Sequence, residues 1–574
     1  MHVIATAGHV DHGKSTLVRA LTGMEPDRLA EERRRGLTVD LGFVWTAVAG
    51  EVLAFVDVPG HERFVPTMLA GTGPVPAVMF VVAADEGWQA QSGEHLAALD
   101  AFGVRHGLLV VTKADRADPA AATALARDRL AGTSLAGIRA VAVSARTGAG
   151  LPELRRALLA TAAGLPRPDT GADVRLWVDR AFTIRGAGTV VTGTLAAGTL
   201  RVGDELELGG RRVTVRGLQA LGQPHDTVAA VARVAVNLRG VDRDEVRRGD
   251  ALLTPAAWRT TTEVDVRLRG DEAGDLHREL VLHVGAAAVP CRVRPLGTDT
   301  ARLTLRTALP LRAGDTGLLR DPGEHRIPAG AEVLDPLPPR LAGRGAARRR
   351  AADLTDPAAA HLRAHGTVRA AGLRVLGWAP TGVHCGEWLV DPELHEELPR
   401  RIAGHVTAWA AAHPVAAGMP VDALRQALGV PEPVLLAAIG ATDLSVHNGL
   451  IGTGARHALP DHVSRAVSEL ERRFADTPFV APDSDDLAAL GLGPRELAAA
   501  ERAGRLVRLT GSVVLAHDAP ARAAEVLATL SPPFTVSDAR RALGTTRRVA
   551  VPLLEKLDSA GVTRRHGDGT RTLR

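Results

Sequence analysis

Apolar and polar positions change their rhythm twice along this 574-residue chain. In the first 165 residues, compact apolar runs are followed by helical stretches. VIATA reads as a buried strand, STLVRALTG as the helix after a glycine-rich turn, and the runs ending at Asp57 and Thr112 as further strands. GLPRPDTGA at 164–172 interrupts this pattern as a Pro/Gly linker. Beyond it, LWVDRAFTIRGAGTVVTGTLAAGTLRVGDELEL alternates with a period of two and has Gly and Asp at its turns. A second strand-rich stretch fills about 260–335, and both predict β-barrels. After about residue 340 the pattern repeats. A Leu-Gly pair ends a short helix at 376–377, 428–429, 490–491 and 543–544. At the last three, a second helix follows (PEPVLLAAI, PRELAAAERAG, TRRVAVPLLEKLDSAG), and then strand-like segments (LSVHNGLIG, RLVRLTGSVVLA, VTRRHGDGTRTL). Helix, helix and hairpin in units of roughly 50–60 residues predict tandem winged helices. The first unit, ending in VHCGEWLV, is the least clear.

Length agrees with several domains, because single cores stop growing near about 250–300 residues. Apolar content of 45% and charged content of 23% are ordinary for a globular protein. No long apolar run lacks a charge or a breaker, so no membrane span is expected. MHVIATAGHV has no basic n-region or cleavage site and reads as a first strand, not a leader. Cys291 and Cys385 are isolated; they offer neither a disulfide framework nor a metal site and fit a reducing cytoplasm.

A net charge of +4 says little about partners. The basic stretches LAGRGAARRR (341–350) and TRRHGDGTRTLR read first as solvated surface, with nucleic-acid contact as the alternative. Lysine is more informative. Only Lys14, Lys113 and Lys556 occur among 69 basic residues, so a retained lysine marks a place where a compact ammonium is needed.

Two of those lysines lie in motifs. Gly8-His9-Val10-Asp11-His12-Gly13-Lys14-Ser15-Thr16 fits a phosphate loop between a strand and a helix. Backbone N–H groups from Asp11 to Thr16 would face phosphate oxygens, Lys14 would reach the β- and γ-phosphates, and Ser15 would hold Mg²⁺. The alternative is a glycine-rich turn with a stray lysine. Phe55-Val56-Asp57-Val58-Pro59-Gly60-His61 ends a strand in an aspartate suited to Mg²⁺ through water, and Gly60 allows a close backbone approach to the γ-phosphate. Thr112-Lys113-Ala114-Asp115 ends another strand. A carboxylate at Asp115 can accept two N–H bonds from guanine, which adenine cannot offer, and Lys113 can pack along the base. Ser144 and Ala145 of VSA would meet the guanine oxygen. Thr112 stands where the GTPase pattern usually has Asn. Between the first two motifs, Arg35-Gly36-Leu37-Thr38-Val39-Asp40 sits where a switch loop should, with Thr38 placed for Mg²⁺.

GHVDHGKST, RGLTVD, DVPGH, TKAD and VSA occur in the order and spacing of translational GTPases, which this chain resembles. The resemblance implies that His61 orients the attacking water, with Val10 and Leu37 as an apolar gate. The two strand-rich stretches resemble the second and third domains of Tu-type elongation factors, which implies a tRNA acceptor arm as partner. WVDRAFTIRGAGTVVTGT and the TKAD variant are similar to the bacterial selenocysteine-specific elongation factors, the SelB family. That resemblance implies a pocket for the aminoacyl side chain lined by Asp179, Arg180 and Arg233. A cationic pocket favours a selenol, which ionises more readily than serine or cysteine. A surface cluster of these three residues is the alternative.

In the last unit, Val549, Leu553 and Leu557 share one helix face, which puts Arg547 and Arg548 in the exposed first turn. Arg564 and Arg565 precede a Gly-Asp-Gly turn. These four suit an RNA hairpin; a protein-contact winged helix is the alternative. The expected fold is multidomain: an α/β P-loop GTPase domain (1–165), two β-barrels (173–258, 260–337) and tandem winged-helix (α+β) domains at 345–395, 396–457, 458–518 and 519–574. The expected function is GTP-dependent delivery of selenocysteinyl-tRNA to the ribosome at UGA codons, with the last winged helix on an mRNA stem-loop (SECIS). GTP and Mg²⁺ are the expected cofactors, the cytoplasm the place, and a monomer the state. An initiation-type factor and a GTP-switched regulator acting on DNA or proteins are the rivals.

Overall fold

The structure is a computed structural model describing residues 1–26, 38, 40–59, 65–72, 75–186, 188–452 and 459–574. Strands β1 (His2–Ala7), β2 (Gly42–Val48), β3 (Glu51–Asp57), β4 (Ala77–Ala83), β5 (His106–Thr112) and β6 (Arg139–Ala142) form one sheet in the order β2-β3-β1-β4-β5-β6. Only β2 runs antiparallel to its neighbour. Helices α1 (Lys14–Thr22), α2 (Val65–Thr72), α3 (Ala90–Ala101), α4 (Pro119–Leu130) and α5 (Leu151–Ala163) accompany it. Every residue of β4 is buried, as a strand covered on both faces must be. Separate apolar clusters cover the two faces, one including Phe80 and Leu99 and the other Phe55 and Leu154. The motifs lie at the carboxyl ends of β1, β3 and β5, where parallel sheets place ligands.

Strands between Arg175 and Leu253 form an eight-stranded antiparallel sheet and a two-stranded ribbon around their own core. The strands between Thr260 and Asp335 close into a six-stranded barrel. Its interior is reached by every second residue, as along Ala287–Pro295, where Val289, Cys291 and Val293 point inward and Arg292 and Arg294 outward. The basic stretch at 341–350 departs from the expectation of uniform solvation. Arg344, Arg348 and Arg349 are exposed, but Arg350 is 4% exposed and bonds both Asp265 and Asp335.

The chain divides into two units, Met1–His361 with Ala370–Thr381, and Leu362–Arg369 with Gly382–Arg574. The stretch expected as the first winged helix, 345–395, is thus shared between them. Its hairpin pairs Val383–Cys385 with Trp388–Val390, and no helix intervenes between Val375 and Val383. In the second unit the three later repeats have both helices and the hairpin. Each Leu-Gly glycine (Gly377, Gly429, Gly491, Gly544) has a positive φ, the left-handed turn that ends a helix without a Cβ penalty. The last two repeats share one core, from Val463 to Leu557. Lys556, whose role was open, reaches the Arg508 carbonyl across that pair at 3.5 Å. Among the described residues, no helix is long and apolar enough to cross a membrane.

Candidate functional site

The phosphate loop is shaped by its backbone. Gly8 has φ +127°, and a Cβ there would lie 2.1 Å from the Val81 carbonyl oxygen. Gly13, also left-handed, caps α1, so Lys14, Ser15 and Thr16 form a first helical turn whose N–H groups have no intrahelical partner. Lys14 is buried, with Nζ 2.9 Å from the Gly8 carbonyl and 2.7 Å from the His9 carbonyl. It thereby spans the loop from the helix side. His12 is fully buried, and burial pushes its imidazole down to about 4.

Two residues that sequence reasoning missed support this loop from α3. His95 Nδ1 accepts the Gly8 N–H at 3.0 Å, and Gln91 Oε1 accepts the Val10 N–H at 3.4 Å. Burial, then the charge of Lys14, push His95 down to about 3, so it stays neutral and can accept. No motif marks a helix residue 87 positions away, so nothing in the spacing could have found it.

Ser15 Oγ and Thr38 Oγ1 lie 3.0 Å apart. That is close to the separation of about 2.9 Å expected for adjacent ligands on an octahedral cation with metal–oxygen distances of 2.0–2.1 Å. Asp57, wholly buried at the end of β3, accepts a hydrogen bond from Thr6 Oγ1 at 2.7 Å. Thr6 in turn accepts the Val58 N–H at 3.1 Å, which fixes the strand end. Val10 is half-buried; Leu37, Gly60 and His61, including the expected catalytic histidine, lie outside the described residues.

At the other end, Thr112 Oγ1 donates to the His12 carbonyl at 2.6 Å. The hydroxyl ties the base motif to the phosphate loop, which gives Thr a structural task where Asn is usual. Asp115 accepts from Ser144 Oγ at 2.6 Å and from Arg146 Nε at 2.9 Å. Ser144 chiefly, then Arg146 against some burial, hold its carboxyl below the ordinary value. Ala145 stands between those two donors. Lys113 pairs with Asp85 and Glu86; burial opposes its charge, but these hydrogen bonds outweigh that and raise its pKa.

A cavity of about 240 Å³ opens between β2 and the first barrel. Phe43 and Trp45 wall it on one side, and Arg180, Phe182, Leu221 and Arg233 on the other. Asp179 adjoins this wall through Arg233 and Thr192, which both line the cavity. Its carboxylate is taken by both terminal nitrogens of Arg233 and by Thr192 Oγ1. Arg180 stays 41% exposed while bonding Asp40 at 2.7 Å.

In the last winged helix, Val549, Leu553 and Leu557 are buried as expected, and Arg547 and Arg548 are exposed at the start of helix Arg547–Ser559. Arg548 donates to the Pro482 carbonyl at 2.7 Å. Arg564 and Arg565 are exposed neighbours on one strand, so they leave it on opposite faces. Arg571, opposite Arg565, is buried and bonds Asp558.

The sequence pattern of the elongation factor Tu GTP-binding domain matches residues 1–163, and that of elongation factor Tu domain 2 matches 188–253. With the phosphate loop, the base motif and two barrels in order, the chain is a translational GTPase of the Tu type. Residues 261–340 match the β-barrel domain of selenocysteine-specific elongation factor, and 525–572 the winged helix of elongation factor SelB. A selenocysteine-specific elongation factor of Escherichia coli K12 is 33% identical over 614 residues, covering 99% of this chain and 98% of that one. One from Desulfomicrobium baculatum is 40% identical over 354 residues, 58% of this chain and 56% of that one. The crystal structure of a bacterial selenocysteine-specific elongation factor, EF-Sec, superposes with a TM-score of 0.77 at 26% identity over all of both chains. The chain belongs to the selenocysteine-specific elongation factor family.

Proposed function

We propose that the GTP-bound protein carries selenocysteinyl-tRNA to the ribosome at UGA codons, in the cytoplasm, while its last winged helix holds an mRNA stem-loop. The observation that carries this reading is the small cavity walled by Arg180 and Arg233 beside a GTPase domain. Two guanidiniums and three aromatic rings suit a short, anionic, polarizable side chain such as a selenolate, and serine offers neither charge nor bulk. Asp179 positions Arg233 in this scheme.

In the GTPase domain, the N–H groups from Asp11 to Thr16 and Lys14 bind the phosphates. Thr112, Lys113, Asp115, Ser144 and Ala145 hold the guanine end. Ser15 and Thr38 would hold Mg²⁺ directly and Asp57 through water; the ion would neutralise phosphate oxygens as charge develops on them. Gly60 and His61 are assigned to the γ-phosphate and the attacking water on the strength of the DVPGH motif alone. Arg547, Arg548, Arg564 and Arg565 grip the RNA. The domain limits given above and a monomeric state belong to the same reading.

The test is binding of the GTP-loaded protein to selenocysteinyl-tRNA and to seryl-tRNA on one tRNA body. Much tighter binding of the first is expected. Equal binding would leave a translational GTPase without this cargo.

A further inference from the structure

The loop between the first barrel's last strands carries an arginine that the nucleotide motifs and the cavity do not account for. Gly249 N–H bonds the Val178 carbonyl at 2.9 Å, and Val178 N–H bonds the Asp250 carbonyl at 2.8 Å, so the loop is fastened beside Asp179. From it, Arg248 donates in three directions. Nε meets the Asp179 carbonyl at 2.9 Å, Nη1 the Thr67 hydroxyl at 3.0 Å, and Nη2 the Asp40 carboxylate at 3.3 Å. Asp40 gives its other oxygen to Arg180 at 2.7 Å.

These contacts join places that the sequence keeps far apart. Asp40 lies two residues past Thr38, in the segment placed to sense the γ-phosphate, and Thr67 lies on α2, just after the DVPGH motif. Asp179 and Arg180 belong to the barrel at the cavity. A guanidinium holds its donors in a rigid plane, so it cannot follow one acceptor without straining its bonds to the others.

We propose that Arg248 is the positioning residue through which the nucleotide state of the GTPase domain sets the aminoacyl cavity. When Asp40 and Thr67 hold their places, Arg248 fixes the Asp179 backbone, and Asp40 fixes Arg180 at the cavity wall. When either segment shifts with the phosphates, the fork loses an acceptor; when Asp40 moves, Arg180 also loses its ion pair and is left with the Leu41 carbonyl at 3.2 Å, and the wall loosens. The inference rests on the reading of function above.

The measurement is selenocysteinyl-tRNA affinity of the full chain with a non-hydrolysable GTP analogue and with GDP. In Arg248→Ala the ratio of the two affinities is expected to fall at least tenfold, the loss lying in the GTP form. Arg248→Lys keeps the charge without the fork and should not rescue it. Thr67→Val, which removes one acceptor and leaves every charge in place, should lower the ratio in the same direction by less. Reciprocity requires the preference for GTP over GDP that the tRNA induces to fall by the same factor. An unchanged ratio, or equal weakening in both states as for a merely structural contact, overturns the inference. A wild-type protein with no state-dependent binding would instead sink the reading of function.

Discussion

In the second barrel, Asp265, Arg302, Asp335 and Arg350 are sealed, each with a side chain at most 5% exposed. In the first, Asp179 and Arg233 are nearly as buried, but Arg180 and Asp40 beside them are 41% and 27% exposed and the group borders a cavity. The residue types are the same. The sealed group closes on itself, because Arg302 and Arg350 share Asp265 while Arg350 also takes Asp335, and this pins helix Ala346–Asp353 to the barrel. Burial raises the Asp335 carboxyl in spite of Arg350, a sign of how much desolvation the closed network must offset. The open group leaves room for a ligand. An aspartate–arginine cluster therefore leaves room for a ligand when space adjoins it, and acts as a fastening when none does.

The largest expected effect tests the sealed group. Arg350→Ala takes the arginine from buried Asp335 and leaves Asp265 to Arg302 alone, and should cost roughly 3–5 kcal/mol in urea unfolding. Arg233→Ala should cost less, roughly 1–3 kcal/mol, since water can enter the cavity to Asp179. It should also abolish the preference for selenocysteinyl-tRNA in a competition assay. Equal losses of stability would erase the contrast.

Sealing also decides what acid does. The folded-state pKa of His95, about 3, lies below the unfolded value near 6.5, so the unfolded chain takes up its proton first. Its contribution is complete above about pH 6.5 and is lost as pH falls toward 3. At pH 5 the loss is roughly 2 kcal/mol, read from melts at pH 7.5 and 5. Buried His12 and His283, both pushed down to about 4, add losses of the same sign, so His95→Gln should lower that slope by its share only, and an unchanged slope would mean the phosphate loop does not depend on a neutral His95.

The smallest effects belong to the exposed arginines of the last hairpin. Arg564→Ala and Arg565→Ala should leave the melting temperature alone and each lower the salt dependence of stem-loop binding by about one unit if both meet phosphates. Because the two side chains leave opposite faces, loss from only one of them would show which face meets RNA.

The phosphate loop, the base motif and the Leu-Gly repeats were legible because each depends on neighbours in sequence. Gly8 is required by its own φ and a nearby carbonyl, and the repeat glycines by the turn that ends each helix. The buried face of the last helix followed from spacing alone. The basic run at 341–350 misled, since nothing local distinguishes Arg350 from Arg348 or Arg349; its partners are 15 and 85 residues away. Arg146 adjoins a recognised motif yet was passed over, because its bond to Asp115 spans 31 residues.

By itself the sequence determined the order of fold types, the presence of a GTP-binding domain and the helices of the later repeats, for these arise from backbone conformation and periodic burial over a few residues. Tertiary structure alone decided which charges are sealed and which open, that His95 supports the phosphate loop, and that Asp179 pairs with Arg233 at the cavity wall. Those outcomes depend on desolvation and on donor–acceptor distances between segments as much as 208 residues apart, as from Asp40 to Arg248, and no local pattern encodes such distances.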